Sequence, residues 1–331
     1  MKNTNTGTSR SRRNFVAASA AGLLAATAEA VAAPFTSHVP LLGPTTSGVL
    51  DTRLPPSGIS ALSWLVADAT SGDVLASYQP HRRLAPASTL KALFAITVLP
   101  QLDSSSLYRV SASDLREVPA GSSVVGLQAG RQYSVEDLWR GVFLRSGNDA
   151  VHVLARMNGG WSKTAGEMES RARSLGARDT TVVSPDGFDA PGQVSSAHDL
   201  AVFGLVGLSV PEFSAHCSTA RCVFPDGGGI GKQVSLINTN RLLSGANGVV
   251  PYPGIIGVKN GYTSRAGNTL IAAARRSGRT IVVTVMNPQS GKANAVYEEA
   301  RTLLDWGFAT TGKSAIGRLP VTSGALVGAA A

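Results

Sequence analysis

Between Pro86 and Pro100 the chain reads Pro-Ala-Ser-Thr-Leu-Lys-Ala-Leu-Phe-Ala-Ile-Thr-Val-Leu-Pro. The flanking prolines suit a helix start and a helix stop, and the residues between them are good helix formers that are apolar on nearly every face. A helix of that kind must be buried all round. Two of its residues resist burial. Ser88 and Lys91 stand three apart, so they share one face within the first turn, and a buried lysine is costly unless its charge state is put to use. Seven lysines and 36 serines in 331 residues would produce about one Ser-x-x-Lys pair by chance. The pair at 88 and 91 is the only one in the chain, and it falls at the head of its most apolar helix.

The first 33 residues read as an export leader. Ser9-Arg10-Ser11-Arg12-Arg13-Asn14-Phe15-Val16 resembles the twin-arginine signal, and an apolar run to Ala28 and small residues near Ala30 to Ala33 follow it. That run is too short and alanine-rich for a membrane span, no later segment reaches spanning length, and no transmembrane anchor is expected in the mature chain. Losing the leader removes four basic residues and one acidic residue from a chain of net charge +9, leaving +6. The basic residues are scattered and not interleaved with aromatics, which argues against nucleic acid as a partner. An exported, extracytoplasmic protein of the cell wall or medium is the expectation.

Residues 34–58 are rich in Pro, Ser, Thr and Gly and read as a linker; residues 59–310 form the expected folded domain, and 311–331 a flexible tail. The domain has strand patterns at both ends, over 64–67, 74–78, 255–259, 269–274 and 280–286. Helix patterns lie between them over 134–144, 150–157 and 164–175, and a closing helix spans 293–308. This predicts an α+β fold, one sheet with a helical block inserted. Asp226 to Gly231 reads as a turn, and Gly231-Lys232 fails as a phosphate loop because Gln233 stands where Ser or Thr is required. Cys217 and Cys222 are the only cysteines, and an even count in an exported chain predicts a disulfide between them. No metal site and no cofactor are expected.

Three short motifs stand in order along this domain: Ser88-x-x-Lys91, Ser146-Gly147-Asn148 and Lys259-Asn260-Gly261-Tyr262-Thr263. They fall at a helix start, at a break between helices and on a strand. In that arrangement they resemble the active site of penicillin-binding proteins and serine β-lactamases, and the particular likeness is to D-alanyl-D-alanine carboxypeptidases. The likeness continues through Asp68-Ala69-x-x-Gly72, Asp149-Ala150, Pro185-Asp186-Gly187-Phe188, Asn238 to Leu243 and Gly257 to Gly267.

The resemblance implies an antiparallel sheet packed by helices, and a serine hydrolase that trims peptidoglycan stem peptides ending in D-Ala-D-Ala through an acyl-enzyme. β-Lactams would be its covalent inhibitors. Ser88 would be the nucleophile and Lys91 its base. Ser146 would relay a proton to the leaving amine, and Asn148 would hold the substrate peptide group. The backbone N–H of Tyr262 would complete an oxyanion hole, while Lys259 and Thr263 would receive the terminal carboxylate. For Lys91 to work near pH 7 its charge must be destabilised by about 4 to 5 kcal/mol, and burial and the second cation Lys259 both act in that direction.

The family's Lys-Thr-Gly is Lys259-Asn260-Gly261 here, so an amide replaces a hydroxyl that normally faces the carboxylate. Asn260 is therefore an uncertain substrate contact. Two alternatives share the fold. A serine β-lactamase would need a carboxylate to position the deacylating water, and Glu167 and Glu169 read as ordinary helix-face residues. A non-catalytic wall-binding protein would have no use for Ser88 and Lys91, and both are present.

Overall fold

The computed structural model describes residues 54–225, 233–310 and 315–320. The leader over 1–33, linker residues 34–53, the turn read at 226–231 and tail residues 311–314 and 321–331 lie outside the described residues.

The apolar strand runs pair into one antiparallel sheet. β1 (Ala61–Asp68) and β2 (Asp73–Tyr78) form one hairpin, β8 (Gly267–Arg276) and β9 (Arg279–Pro288) another, and β7 (Ile255–Thr263) pairs with β8. β9 then pairs with β1, which brings the two ends of the domain together with Val66 opposite Val283. The strand order is β10-β2-β1-β9-β8-β7, where β10 is Gly317–Arg318. The tail is therefore not frayed over 315–320. Ile316 and Leu319 donate backbone N–H groups to Val74 and Gly72, and the Leu319 side chain is buried. An exposed strand edge with unpaired donors and acceptors is a template for such pairing.

Side chains alternate between the two faces of the sheet. Ile281, Val283 and Val285 pack with Leu270 and Ala272 under the closing helix α9 (Ala295–Ala309), which adds Val296, Leu303 and Leu304. Leu65, Ile271, Val282 and Met286 face the helical block. Both faces are covered, so the central strands are apolar throughout rather than alternating.

The helical block is built around α1 (Lys91–Val98), whose Ala92, Leu93, Phe94, Ala95 and Val98 are all fully buried. The helix starts later than the proline signal implies. Ala87–Leu90 forms a tight 3₁₀ turn, and Ala87 adopts φ +48°, a left-handed conformation that costs a residue with a Cβ. A small pair, β3 (Leu107–Arg109) and β4 (Gln132–Ser134), flanks α2 (Ala112–Leu115). α3 (Val135–Arg145) is capped by Ser134, a residue type that favours this position, its hydroxyl accepting the Asp137 N–H at 3.0 Å. It stops at Ser146, which takes φ +59°, and α4 (Asn148–Met157) follows after one residue. α5 (Trp161–Ser174) leads into a long connection to α6 (Ala197–Leu208), and α7 (Pro211–Ser218) comes next. A second small hairpin pairs β5 (Arg221–Pro225) with β6 (Gln233–Ile237), and α8 (Arg241–Ser244) precedes β7. Among the described residues no single helix is long and apolar enough to cross a membrane.

The disulfide expected between Cys217 and Cys222 is not formed; both are free thiols. The last turn of α7 aims the buried Cys217 thiol at β7, where it donates to the Ile256 carbonyl at 3.3 Å, and burial pushes its pKa upward. Cys222 lies beyond the end of that helix on β5, opposite Leu236. The change from helix to strand between them sends the two side chains to different neighbours.

Candidate active site

The 3₁₀ turn sets Ser88 against the buried face of β7. A Cβ at Gly261 would sit 2.7 Å from the Ser88 backbone nitrogen and 2.7 Å from the Thr269 hydroxyl, so only glycine lets the strand lie this close. Thr269 donates its hydroxyl to the Pro86 carbonyl at 2.9 Å and ties β8 to the same turn. On the other side a Cβ at Gly187 would meet the Ala87 carbonyl oxygen at 2.2 Å. The turn bearing Ser88 is thus held between β7 and the connection from α5 to α6.

Lys91 Nζ lies 2.8 Å from Ser88 Oγ and 2.6 Å from the main-chain oxygen of Asp186. Its side chain is 1% exposed. Burial is the main cause that lowers its pKa to about 8, against the opposing pull of the Asp186 and Asp149 carboxylates.

Ser146 and Asn148 come to the same place from the break between α3 and α4. The Ser146 hydroxyl is buried without a hydrogen-bond partner, one of six such side-chain atoms among the described residues. Asn148 donates its amide to Asp186 Oδ2 at 2.8 Å. Asp186 therefore holds two motif residues at once, Lys91 by its carbonyl and Asn148 by its carboxylate. Its other carboxylate oxygen accepts the Ser184 hydroxyl and the Phe188 N–H. Asp149, next in the chain, accepts the backbone N–H groups of Val125, Gly126 and Leu127 and fixes that segment against the start of α4.

On β7, Lys259, Gly261 and Thr263 are buried on one face while Asn260 and Tyr262 take the other. Lys259 Nζ donates to the Asn260 carbonyl at 2.9 Å. Burial, and secondarily the positive charge of Lys91, hold its pKa well below the lysine range. Thr263 donates its hydroxyl to Asp189 Oδ1 at 2.7 Å, and the Arg265 N–H reaches the second oxygen at 3.2 Å. The Tyr262 side chain is exposed.

Asn260, the uncertain substrate contact, lies on the opposite face of β7 from Lys259. Strand alternation turns it away from Lys259, and its Oδ1 accepts the Thr239 hydroxyl at 3.0 Å. The amide oxygen thus already has a protein partner.

A family model described as D-alanyl-D-alanine carboxypeptidase matches residues 51–290, well over half of the chain. The chain belongs to the D-alanyl-D-alanine carboxypeptidase family. A Mycobacterium tuberculosis member, D-alanyl-D-alanine carboxypeptidase DacB2, is 37% identical over 78% of this chain and 86% of its own length. DacD of Escherichia coli is 35% identical over 76% of this chain, which spans 64% of that longer protein. A solved D-alanyl-D-alanine carboxypeptidase from Mycobacterium tuberculosis superposes with a TM-score of 0.73 at 35% identity, over 82% of this chain and 99% of its own. A mutant Streptomyces DD-transpeptidase superposes at 0.70 with 27% identity, over 77% of this chain and 100% of its own.

This carboxypeptidase thus has the antiparallel sheet and inserted helical block of the penicillin-binding fold. Glu167 and Glu169, weighed for a β-lactamase, are engaged along α5. Glu167 accepts from Asn158 and Lys163, and Glu169 from Arg173 and the Val182 N–H. Asp186 and Asp189 lie outside the three short motifs; Asp186 belongs to the Pro185-Asp186-Gly187-Phe188 stretch of the likeness, and both sit in the connection from α5 to α6.

Proposed function

We propose that this chain removes the terminal D-alanine from peptidoglycan stem peptides ending in D-Ala-D-Ala, through an acyl-enzyme on Ser88. As a member of its family it is a serine-type D-Ala-D-Ala carboxypeptidase and a target of β-lactam acylation. The observation that carries the residue assignment is the 2.8 Å contact between Lys91 Nζ and Ser88 Oγ, with the lysine buried and its pKa lowered. A neutral Lys91 takes the Ser88 proton as Oγ attacks the carbonyl carbon of the scissile peptide bond. The oxyanion then lies against the backbone N–H groups of Ser88 and Tyr262, at the close approach that Gly261 permits. Ser146 passes the proton to the leaving amine, which departs as D-alanine. Water then attacks the ester, gives its proton to Lys91, and releases the shortened peptide and free Ser88.

Lys259 and Thr263 receive the substrate carboxylate, a charge-assisted contact that restricts cleavage to a C-terminal residue. Asn148 orients the peptide group beside Asp186. The leader over residues 1–33 supports export of the enzyme to the wall where such peptides occur.

The test is incubation of the purified protein with a stem-peptide mimic ending in D-Ala-D-Ala, with product identification, and mass spectrometry after penicillin treatment. Free D-alanine and an adduct on the peptide containing Ser88 are expected. An adduct that forms on another residue in Ser88→Ala would overturn the assignment.

A further inference from the structure

We propose that His81, Asp179 and His198 bind a divalent transition-metal ion, Zn²⁺ by donor chemistry, at a site separate from the catalytic serine. His81 lies in the connection from β2 to α1, Asp179 in the connection from α5 to α6, and His198 in the first turn of α6. One ligand atom from each lies within 4.8 Å of the others. Zinc bonds of about 2.0 to 2.1 Å in tetrahedral geometry need ligand atoms roughly 3.4 Å apart, so small side-chain rotations close the set. The His81 side chain, 64% exposed, has room for this; its Nδ1 already sits 2.8 Å from Asp179 Oδ2, and its ring is 4.6 Å from that of His198.

The second observation is the support beneath His198. Its Nδ1 lies 3.0 Å from Asp199 Oδ1, and Asp199 is fully buried. The other oxygen of Asp199 accepts the Asp179 N–H at 2.9 Å and the Thr180 hydroxyl at 2.8 Å. A carboxylate on one ring nitrogen fixes the tautomer and presents the other nitrogen's lone pair, which is the usual second shell of a metal-bound histidine. Asp179 is likewise oriented, its Oδ2 accepting the Ser196 hydroxyl at 3.0 Å. Two imidazoles and one carboxylate suit zinc and its neighbours in the first transition row, with the fourth position left to solvent.

The site joins the two segments that hold the catalytic turn. Leu84, between His81 and Ser88, exchanges backbone hydrogen bonds with Ser195, and Asp179 begins the stretch that reaches Asp186. A bound ion would clamp these segments together, acting on position and not on chemistry. The proposal is independent of the reaction assigned above.

The test uses the untagged full-length protein, dialysed against a chelator and titrated with Zn²⁺ in competition with a chromogenic chelator. Co²⁺ absorption in the visible reports the ligand geometry. One saturable site per chain is expected, with affinity lowered at least tenfold in His81→Ala and in His198→Ala. Asp199→Asn, which removes the orienting charge, should weaken binding by about 10- to 100-fold. No saturable zinc binding in the wild type, or binding unchanged in both histidine variants, would overturn the proposal. His81 is exposed, so its variant stays interpretable if a buried substitution fails to fold.

Discussion

Lys91 Nζ lies closer to the carbonyl oxygen of Asp186, at 2.6 Å, than to the hydroxyl of Ser88, at 2.8 Å. The carbonyl accepts an N–H from either form of the amine, so it orients the nitrogen without demanding a charge. That leaves the neutral lysine a lone pair for the serine proton. The cost of burying the charge does the rest by lowering the pKa.

Acylation should therefore rise with pH and level off above about 8. At pH 7 roughly a tenth of the molecules carry the neutral base. Penicillin acylation rates measured from pH 5 to 9.5 check this, and a profile flat through 8 would count against Lys91 as the base. Lys91→Arg, which keeps the charge and cannot deprotonate, should lose acylation by several orders of magnitude. The same group affects stability. The unfolded lysine holds its proton up to about 10.5 and the folded one only to about 8, so stability rises with pH across that window.

Lys259 is buried beside another cation, with the Asn260 carbonyl as its hydrogen-bond acceptor. A ligand carboxylate favours the charged amine, so binding should draw a proton from solution. Calorimetric titration of Ser88→Ala with a D-Ala-D-Ala peptide, in buffers of different ionisation enthalpy, should show net uptake at pH 8. An enthalpy independent of buffer would exclude this coupling.

The Thr263 hydroxyl is engaged by Asp189, so a substrate carboxylate received at Thr263 would compete with that bond. Asp189→Asn removes a negative charge from beside the incoming carboxylate and should lower KM by about 3- to 10-fold, the scale of one net hydrogen bond. A higher KM with lower kcat would instead mean that Asp189 holds Thr263 in its working position.

Asn260 is anchored by Thr239 on the far side of β7. Asn260→Thr should alter acylation by no more than about 1 to 2 kcal/mol, one exchanged hydrogen bond. Thr263→Val should cost more, because its hydroxyl has no substitute. Kinetic comparison of the two variants with one substrate decides between them.

The apolar run after Ser88 determined a buried α1 and placed Lys91 on it, because periodicity and burial are local properties of a helix. The β8–β9 hairpin and the cap of α3 at Ser134 were legible for the same reason, since turn and capping chemistry act over a few residues. α6, buried except at His198, was not, because its run is apolar without a period that marks it as helix.

Contacts between distant segments were decided only by the tertiary structure. Asp186 meets Lys91 across 95 positions, Thr263 meets Asp189 across 74, and His81 meets Asp179 across 98. Each pairing depends on the path of a connection without regular structure, which no repeat in the sequence encodes. The direction of a side chain is subject to the same limit. Cys217 lies close to Cys222 along the chain, yet the packing of α7 against β7 keeps it a free thiol, and the two faces of one strand separate Asn260 from Lys259.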